Sequence, residues 1–166
     1  VFTDAGLPSS VLQELLAAGV KPSFNAITVD SDTSTSDTLL FFATGKGAHH
    51  SAVSKASDKR LNEFRQRLDA VLLNLALQVV RDGEGAQKLI RIDVTGAESD
   101  DSAKRLALSV ANSPLVTTAR AGDDDNVGRL VRAVGTSGWA ADRDQPRLTF
   151  VDRVLAGKGR RAAPSN

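Results

Sequence analysis

The chain predicts an α/β fold, a layered sandwich with helices packed on a mixed sheet. Two patterns carry that expectation. Beyond residue 86, strand-like and helix-like stretches alternate along the chain. Before it runs one long amphipathic helix, near 58–80, with Leu61, Phe64, Leu68, Val71, Leu72, Leu75 and Val79 at steps of three and four. Such steps put all seven on one face. The total of 166 residues, 41% of them hydrophobic, suits one domain with a core of its own. No linker or repeat is visible, though the loop at 44–57 is a place where two lobes could part.

The first elements are short. Val1 to Ala5 reads as a strand entering a turn, broken by Gly6-Leu7-Pro8. Ser9 or Ser10 is placed to cap a helix carrying Val11, Leu12, Leu15 and Leu16 and closing at Gly19. Ile27 and Val29 alternate with Thr28, a strand signal within 23–30. Polar residues fill 30–37, and Leu39 to Ala43 then reads as a buried strand or the start of a buried helix. Residues 44–57 read as exposed loop.

Ser57 or Asp58 caps the long helix, whose surface is charged at Lys59, Arg60, Arg65 and Arg67. From Ala70 to Val80 it is apolar except at Asn74 and Gln78, so Leu68, Leu72, Leu75 and Val79 are expected in the core. A fragment could leave part of this surface bare. Next, Lys88 to Val94 alternates as a strand, with Ile90, Ile92 and Val94 on one side and Leu89, Arg91 and Asp93 on the other. Ser99 or Asp100 caps a helix with Ala103, Leu106, Ala107 and Val110, stopped at Asn112-Ser113-Pro114. Leu115 to Ala119 is strand-like, 122–126 a turn, Val127 to Gly135 a helix, and Arg147 to Val151 a last strand. The tail is rich in Gly, Ala and basic residues and reads as loose.

Composition removes several functions. Lys plus Arg number 21 against 20 Asp plus Glu, so bulk charge favours neither nucleic acid nor a membrane surface. Aromatics are 4%, too few for a base-stacking platform. No apolar run reaches the roughly 20 residues of a membrane span. Without cysteine there is no disulfide, thiolate zinc site or Cys nucleophile. The absence of Met leads to the expectation of a processed, trimmed or partial chain.

Candidate chemistry is sparse. Asp30-x-Asp32-x-Ser34 opens like an EF-hand loop, but Thr35 stands where the loop needs Gly and Phe41 where it needs Glu. Asx and Ser/Thr turns are the simpler reading, and part of a site or interface remains an alternative. The acidic run 123–125 reads as the cap of the next helix. His49-His50 read as exposed rather than metal-binding. Gly45-Lys46-Gly47 and Gly83-Glu84-Gly85 complete no phosphate-binding pattern, and Lys158 to Arg161 read as a solvated basic tail. What remains is Glu84, a carboxylate between two glycines where the long helix stops. It is the best candidate for a substrate-contacting residue.

Four segments, in order, resemble one family. Ser23-Phe24-Asn25 with Ile27 to Thr38 resembles its SFN-ITVDGDTSTND stretch, and Val80 to Ala86 with Lys88 resembles VRDGEGATK. Ala111 to Val116 with Thr118-Ala119 resembles ANSPLVKTA, and Gly122 to Arg129 with Ala133-Val134-Gly135 resembles GEDPNWGRIMAAVG. The family is the ornithine acetyltransferase, or bifunctional glutamate N-acetyltransferase, family of arginine biosynthesis. The resemblance covers roughly residues 2 to 150, and residues 1–150 read as one β-chain-like domain of ornithine-acetyltransferase-like fold. Residues 151–166 read as a divergent, loose tail. Ser31 stands where the family has Gly, Ser36 for Asn, Thr117 for Lys, Asp123 for Glu and Val127 for Trp.

The resemblance implies a precursor that cleaves itself before a threonine, giving α and β chains that assemble as a cytoplasmic heterotetramer. That threonine takes an acetyl group from N-acetylornithine and passes it to glutamate, a ping-pong transfer through a covalent intermediate. Its own amine serves as the base. The α chain of the same precursor supplies the oxyanion hole, and Glu84 contacts substrate. No cofactor, metal, nucleic acid or membrane is implied. Val1-Phe2-Thr3-Asp4-Ala5 resembles the segment just after cleavage, so the nucleophile is expected upstream, and Thr3 is not assigned that role. The alternatives are a catalytically inactive remnant and a small-molecule-binding fragment that keeps the acidic turn.

Overall fold

The computed structural model describes residues 1–121, 127–136, 148–150, 153–157 and 160–161. It divides into two compact units, Val1–Ala86 and Gln87–Asn166. The division falls at the end of the glycine turn, not in the loop at 44–57.

In the first unit, strand β1 (Phe2–Thr3) is followed by helix α1 (Ser9–Gly19), strand β2 (Phe42–Ala43) and helix α2 (Asn62–Arg81). Neither Ser9 nor Ser10 caps α1. Pro8 holds that position in extended backbone and makes no side-chain cap, so both serines are already helical. Val11, Leu15 and Gly19 recur every four residues and are buried. Gly19 is required by packing: a Cβ there would lie 2.5 Å from Leu72 Cδ1 on α2. The hydroxyl of buried Ser23 donates to Gly19 O at 2.6 Å.

Asp58 begins the long helix as expected. Its carboxylate accepts from Arg60 N at 2.9 Å and caps a single 3-10 turn, Lys59–Leu61, that leads into α2. Arg60 also grips Ser51 O and Ala52 O, tying the preceding loop to the helix start. Val11, Leu15, Val53, Leu61, Leu68 and Leu72 form the core of this unit. The expected apolar face is only partly buried. Leu68 and Leu72 are core and Leu75 is half-buried, but Val79 is 49% exposed. The reason is length. α1 has 11 residues against 20 in α2, roughly 16 Å against 30 Å, so it cannot cover the far end.

β1 and β2 pair in parallel, Phe2 opposite Phe42 and Thr3 opposite Ala43. Leu39–Ala43 is thus a strand only at its last two residues. The strand expected within 23–30 is absent. Phe24–Ala26 forms a 3-10 turn, and Ile27 is extended but has no ladder partner among the described residues. Alternation there correctly indicates extended backbone, and pairing needs a neighbour.

In the second unit, helices α3 (Asp100–Ala111), α4 (Pro114–Ala121) and α5 (Val127–Thr136) pack around Val110, Val116 and Ala133. Ser99 caps α3, its hydroxyl accepting from Ser102 N at 3.2 Å. Residues 88–94 form no ladder among the described residues. Arg91 and Asp93 still meet at 3.0 Å, an i, i+2 pairing that extended backbone favours. The strand expected over Leu115–Ala119 is helix instead. Pro114 occupies the first helical position, where its missing N–H costs nothing. The hydroxyls of Thr117 and Thr118 bond back to Pro114 O, at 3.1 and 2.8 Å. Strands β3 (Leu148–Phe150), β4 (Arg153–Gly157) and β5 (Arg160–Arg161) form an antiparallel sheet in that order. Two of them lie where the sequence predicted loose tail. The chain is α/β, with its described strands in two small sheets, one parallel and one antiparallel. No described helix is long and apolar enough to cross a membrane.

Candidate functional site

Glu84 sits in a four-residue turn at the end of α2. Asp82 N donates to Gln78 O at 3.0 Å, the last helical bond, and Ala86 N donates to Gly83 O at 2.9 Å, closing the turn. The two glycines serve different needs. Gly85 has φ 70°, a left-handed conformation that a side chain resists, and a Cβ there would meet nothing. At Gly83 the limit is space, since a Cβ would lie 3.3 Å from Val29 Cγ1. The turn therefore rests on the chain that follows Ile27, a contact no local pattern announces.

The Glu84 side chain is exposed, and no described residue pairs with it. A depression beside it is lined by Val29, Gln78, Val79, Arg81, Asp82 and Gly83. The unsatisfied carbonyls of a helix C-terminus carry partial negative charge. Asp82 and Glu84 add two carboxylates to that end, with Arg81 as the local cation. Such a place suits an ammonium group beside a short apolar chain, with Val29 and Val79 as the apolar wall.

The loop at 30–37 is built from local turns. Asp32 N donates to Asp30 Oδ1 at 3.0 Å, and Ser36 N and Asp37 N donate to Ser34 Oγ at 3.3 and 3.0 Å. Ser31 has φ 75°. It takes the left-handed position for which glycine is best suited, and its N–H donates to Thr28 Oγ1 at 3.3 Å. The described residues contain no cluster of three metal-ligating acids or histidines. His49 and His50 are exposed, and His50 Nδ1 donates to Ser51 O at 3.0 Å. Gly45-Lys46-Gly47 acts as a joint: Gly47 N donates to Asp4 O at 2.7 Å, and a Cβ there would meet the Asp4 carboxylate at 3.0 Å. The acidic run 123–125 lies outside the described residues.

The family model described as the ArgJ family matches residues 1–166. The arginine biosynthesis bifunctional protein ArgJ of Rhizobium meliloti is 57% identical over 163 residues, covering 97% of this chain and 40% of that protein. The protein of the same name from Gluconobacter oxydans is 62% identical over 159 residues, 96% of this chain and 37% of its own length. A crystal structure of arginine biosynthesis bifunctional protein ArgJ from Bacillus halodurans matches with a TM-score of 0.92 at 36% identity. That match covers 99% of this chain and 76% of the solved chain. The chain thus spans about 40% of the length of the curated relatives first matched. With its whole length matched by one family model and its fold by a solved member, the chain belongs to the ArgJ family.

Proposed function

We propose that this chain is part of a cytoplasmic arginine-biosynthesis enzyme that moves an acetyl group from N2-acetylornithine to glutamate. Relatives more than half identical are named as arginine-biosynthesis proteins, and the motifs quoted above resemble the β chain of such an enzyme. The single observation that carries the substrate reading is the Glu84 turn. An exposed carboxylate sits at the negative end of a 20-residue helix, beside an apolar wall. It is suited to receive the ammonium of an ornithine-like ligand. Glu84 holds substrate, and the attacking threonine belongs to the family's upstream segment.

The step is nucleophilic acyl transfer. The threonine hydroxyl attacks the acetyl carbonyl of N-acetylornithine, its proton passes through the threonine's own amine, and ornithine leaves as the free amine. Glutamate's amine then attacks the threonyl ester and regenerates the hydroxyl. Oxyanion stabilisation is assigned to the α chain of the same precursor. Acetyl exchange between N-acetylornithine and glutamate, measured with the α chain supplied, tests the transfer. Calorimetry with ornithine tests the turn: Glu84→Ala should weaken binding at least about tenfold. Unchanged affinity would remove Glu84 from the site. Ornithine binding without acetyl exchange, α chain present, would favour the alternative of an inactive or purely binding member.

A further inference from the structure

The transfer proposed above brings two substrates in turn to one nucleophile. N2-acetylornithine and glutamate end differently, the first in a side-chain ammonium and the second in a carboxylate. They share an α-carboxylate beside the reacting nitrogen. In a ping-pong transfer both nitrogens must be placed at the same nucleophile, so the shared carboxylate is the handle that a common receptor can hold. That receptor must be cationic. Asp82 and Glu84 cannot serve, because a carboxylate repels a carboxylate.

Arg81 is the cation on the wall of the depression, which it lines with Val29, Gln78, Val79, Asp82 and Gly83. It is the last residue of α2, and it is exposed. Arg60 and Arg65, by contrast, are engaged at the start of that helix. Arg60 meets Asp58 at 2.6 Å, and Arg65 donates to Ala56 O at 2.6 Å. No described residue takes the Arg81 guanidinium. Its planar fork fits a carboxylate through two parallel hydrogen bonds. The charges also match in number. Free ornithine carries two ammoniums and one carboxylate, and Asp82, Glu84 and Arg81 supply two carboxylates and one guanidinium. We infer that Arg81 receives the α-carboxylate of the amino acid bound here, with the side-chain ammonium of ornithine on Glu84 and its methylenes along Val29 and Val79. The inference rests on the substrate reading of the Glu84 turn and extends it to glutamate, whose side chain Glu84 alone would repel.

A cation in the last turn of a helix also complements the partial negative charge there. That role alone would touch stability and leave ligand choice unaltered, so the test compares two ligands that differ only in the carboxylate. Ornithine and putrescine, its decarboxylated form, are titrated calorimetrically into the full chain and its variants. Wild type should favour ornithine at least about tenfold. Arg81→Gln should weaken ornithine at least about tenfold and leave putrescine no weaker. Arg81→Lys keeps the charge without the fork and should restore part of the ornithine affinity. Equal wild-type affinity for the two ligands, an equal loss of both in Arg81→Gln, or unchanged ornithine affinity in that variant would each overturn the inference. If Arg81→Gln weakens ornithine alone and Glu84→Ala changes neither ligand, the reading of Glu84 falls and Arg81 stands. If Glu84→Ala weakens both and Arg81→Gln neither, Glu84 stays in the site and Arg81 leaves it. Binding of neither ligand by the wild type would overturn both.

Discussion

The two ends of α2 live in different surroundings. At its start, Leu61, Leu68 and Leu72 lie buried beneath α1, with Gly19 pressed against Leu72 and Asp58 capping the turn before it. At its end, Val79 is half-exposed, Gln78 turns aside to bond Asn74 at 2.6 Å, and the glycine turn presents Glu84 to solvent. One end is scaffold and the other is where a ligand can reach. The difference teaches that the more apolar half of a helix can be packed less completely at its last turn, Val79, when the helix laid on it is about half its length.

The sharpest way to break that contrast is Leu72→Ala. Leu72 is fully buried, so its truncation should cost about 2–5 kcal/mol in urea unfolding. Val79→Ala should stay within about 1 kcal/mol, since half of that side chain is already in water. Equal costs would mean the far end is packed after all. Gly19→Ala attacks the same contact from the other side. The added methyl meets Leu72 Cδ1 and should cost about 1–3 kcal/mol. In the double variant with Leu72→Ala much of that cost should disappear, because the clash is removed; strict additivity would show that Gly19 matters for another reason. At the open end, Gly85→Ala forces a side chain into φ 70° and should cost about 1–2 kcal/mol by the same measurement.

The smallest effect is the one at Asp58. Its hydrogen bonds to the Arg60 side chain and backbone hold its carboxyl down to about 2. A folded-state value below the unfolded one stabilises above the unfolded pKa and is lost as pH falls through the folded one. Wild type should therefore lose its advantage over Asp58→Asn between about pH 4 and about pH 2, as read from acid-unfolding curves. Arg60 is half in water and Asp58 partly so, which keeps the advantage small. An advantage that persists below this window would remove the Arg60 contact as its cause.

The helices and the candidate carboxylate were legible from local pattern. Steps of three and four placed α1, α2, α3 and α5, Ser99 marked a cap, and Glu84 stood out between its glycines. Strands were legible at β1, within residues 1–5, and at β3, within residues 147–151, but three other expected strands were not formed among the described residues. Over 27–29 and 88–94 alternation correctly reports extended chain, but a strand also needs a neighbour, and none is paired there among the described residues. Over 115–119 the β-branched run suggested a strand. Pro114 at the helix start and the two threonine hydroxyls bonding backwards made it helix.

By itself, then, the sequence determined which segments are amphipathic, that Asp58 and Ser99 are placed to cap, which family the motifs resemble, and which carboxylate sits in a glycine turn. These are properties of residues close together in the chain. Tertiary structure alone decided that Gly19 meets Leu72, that Val29 backs Gly83, that Val79 stays in water, and that Phe2 and Phe42 stack into a bare plate. Those depend on residues far apart in sequence and on how much of one helix another can cover, which no local spacing records.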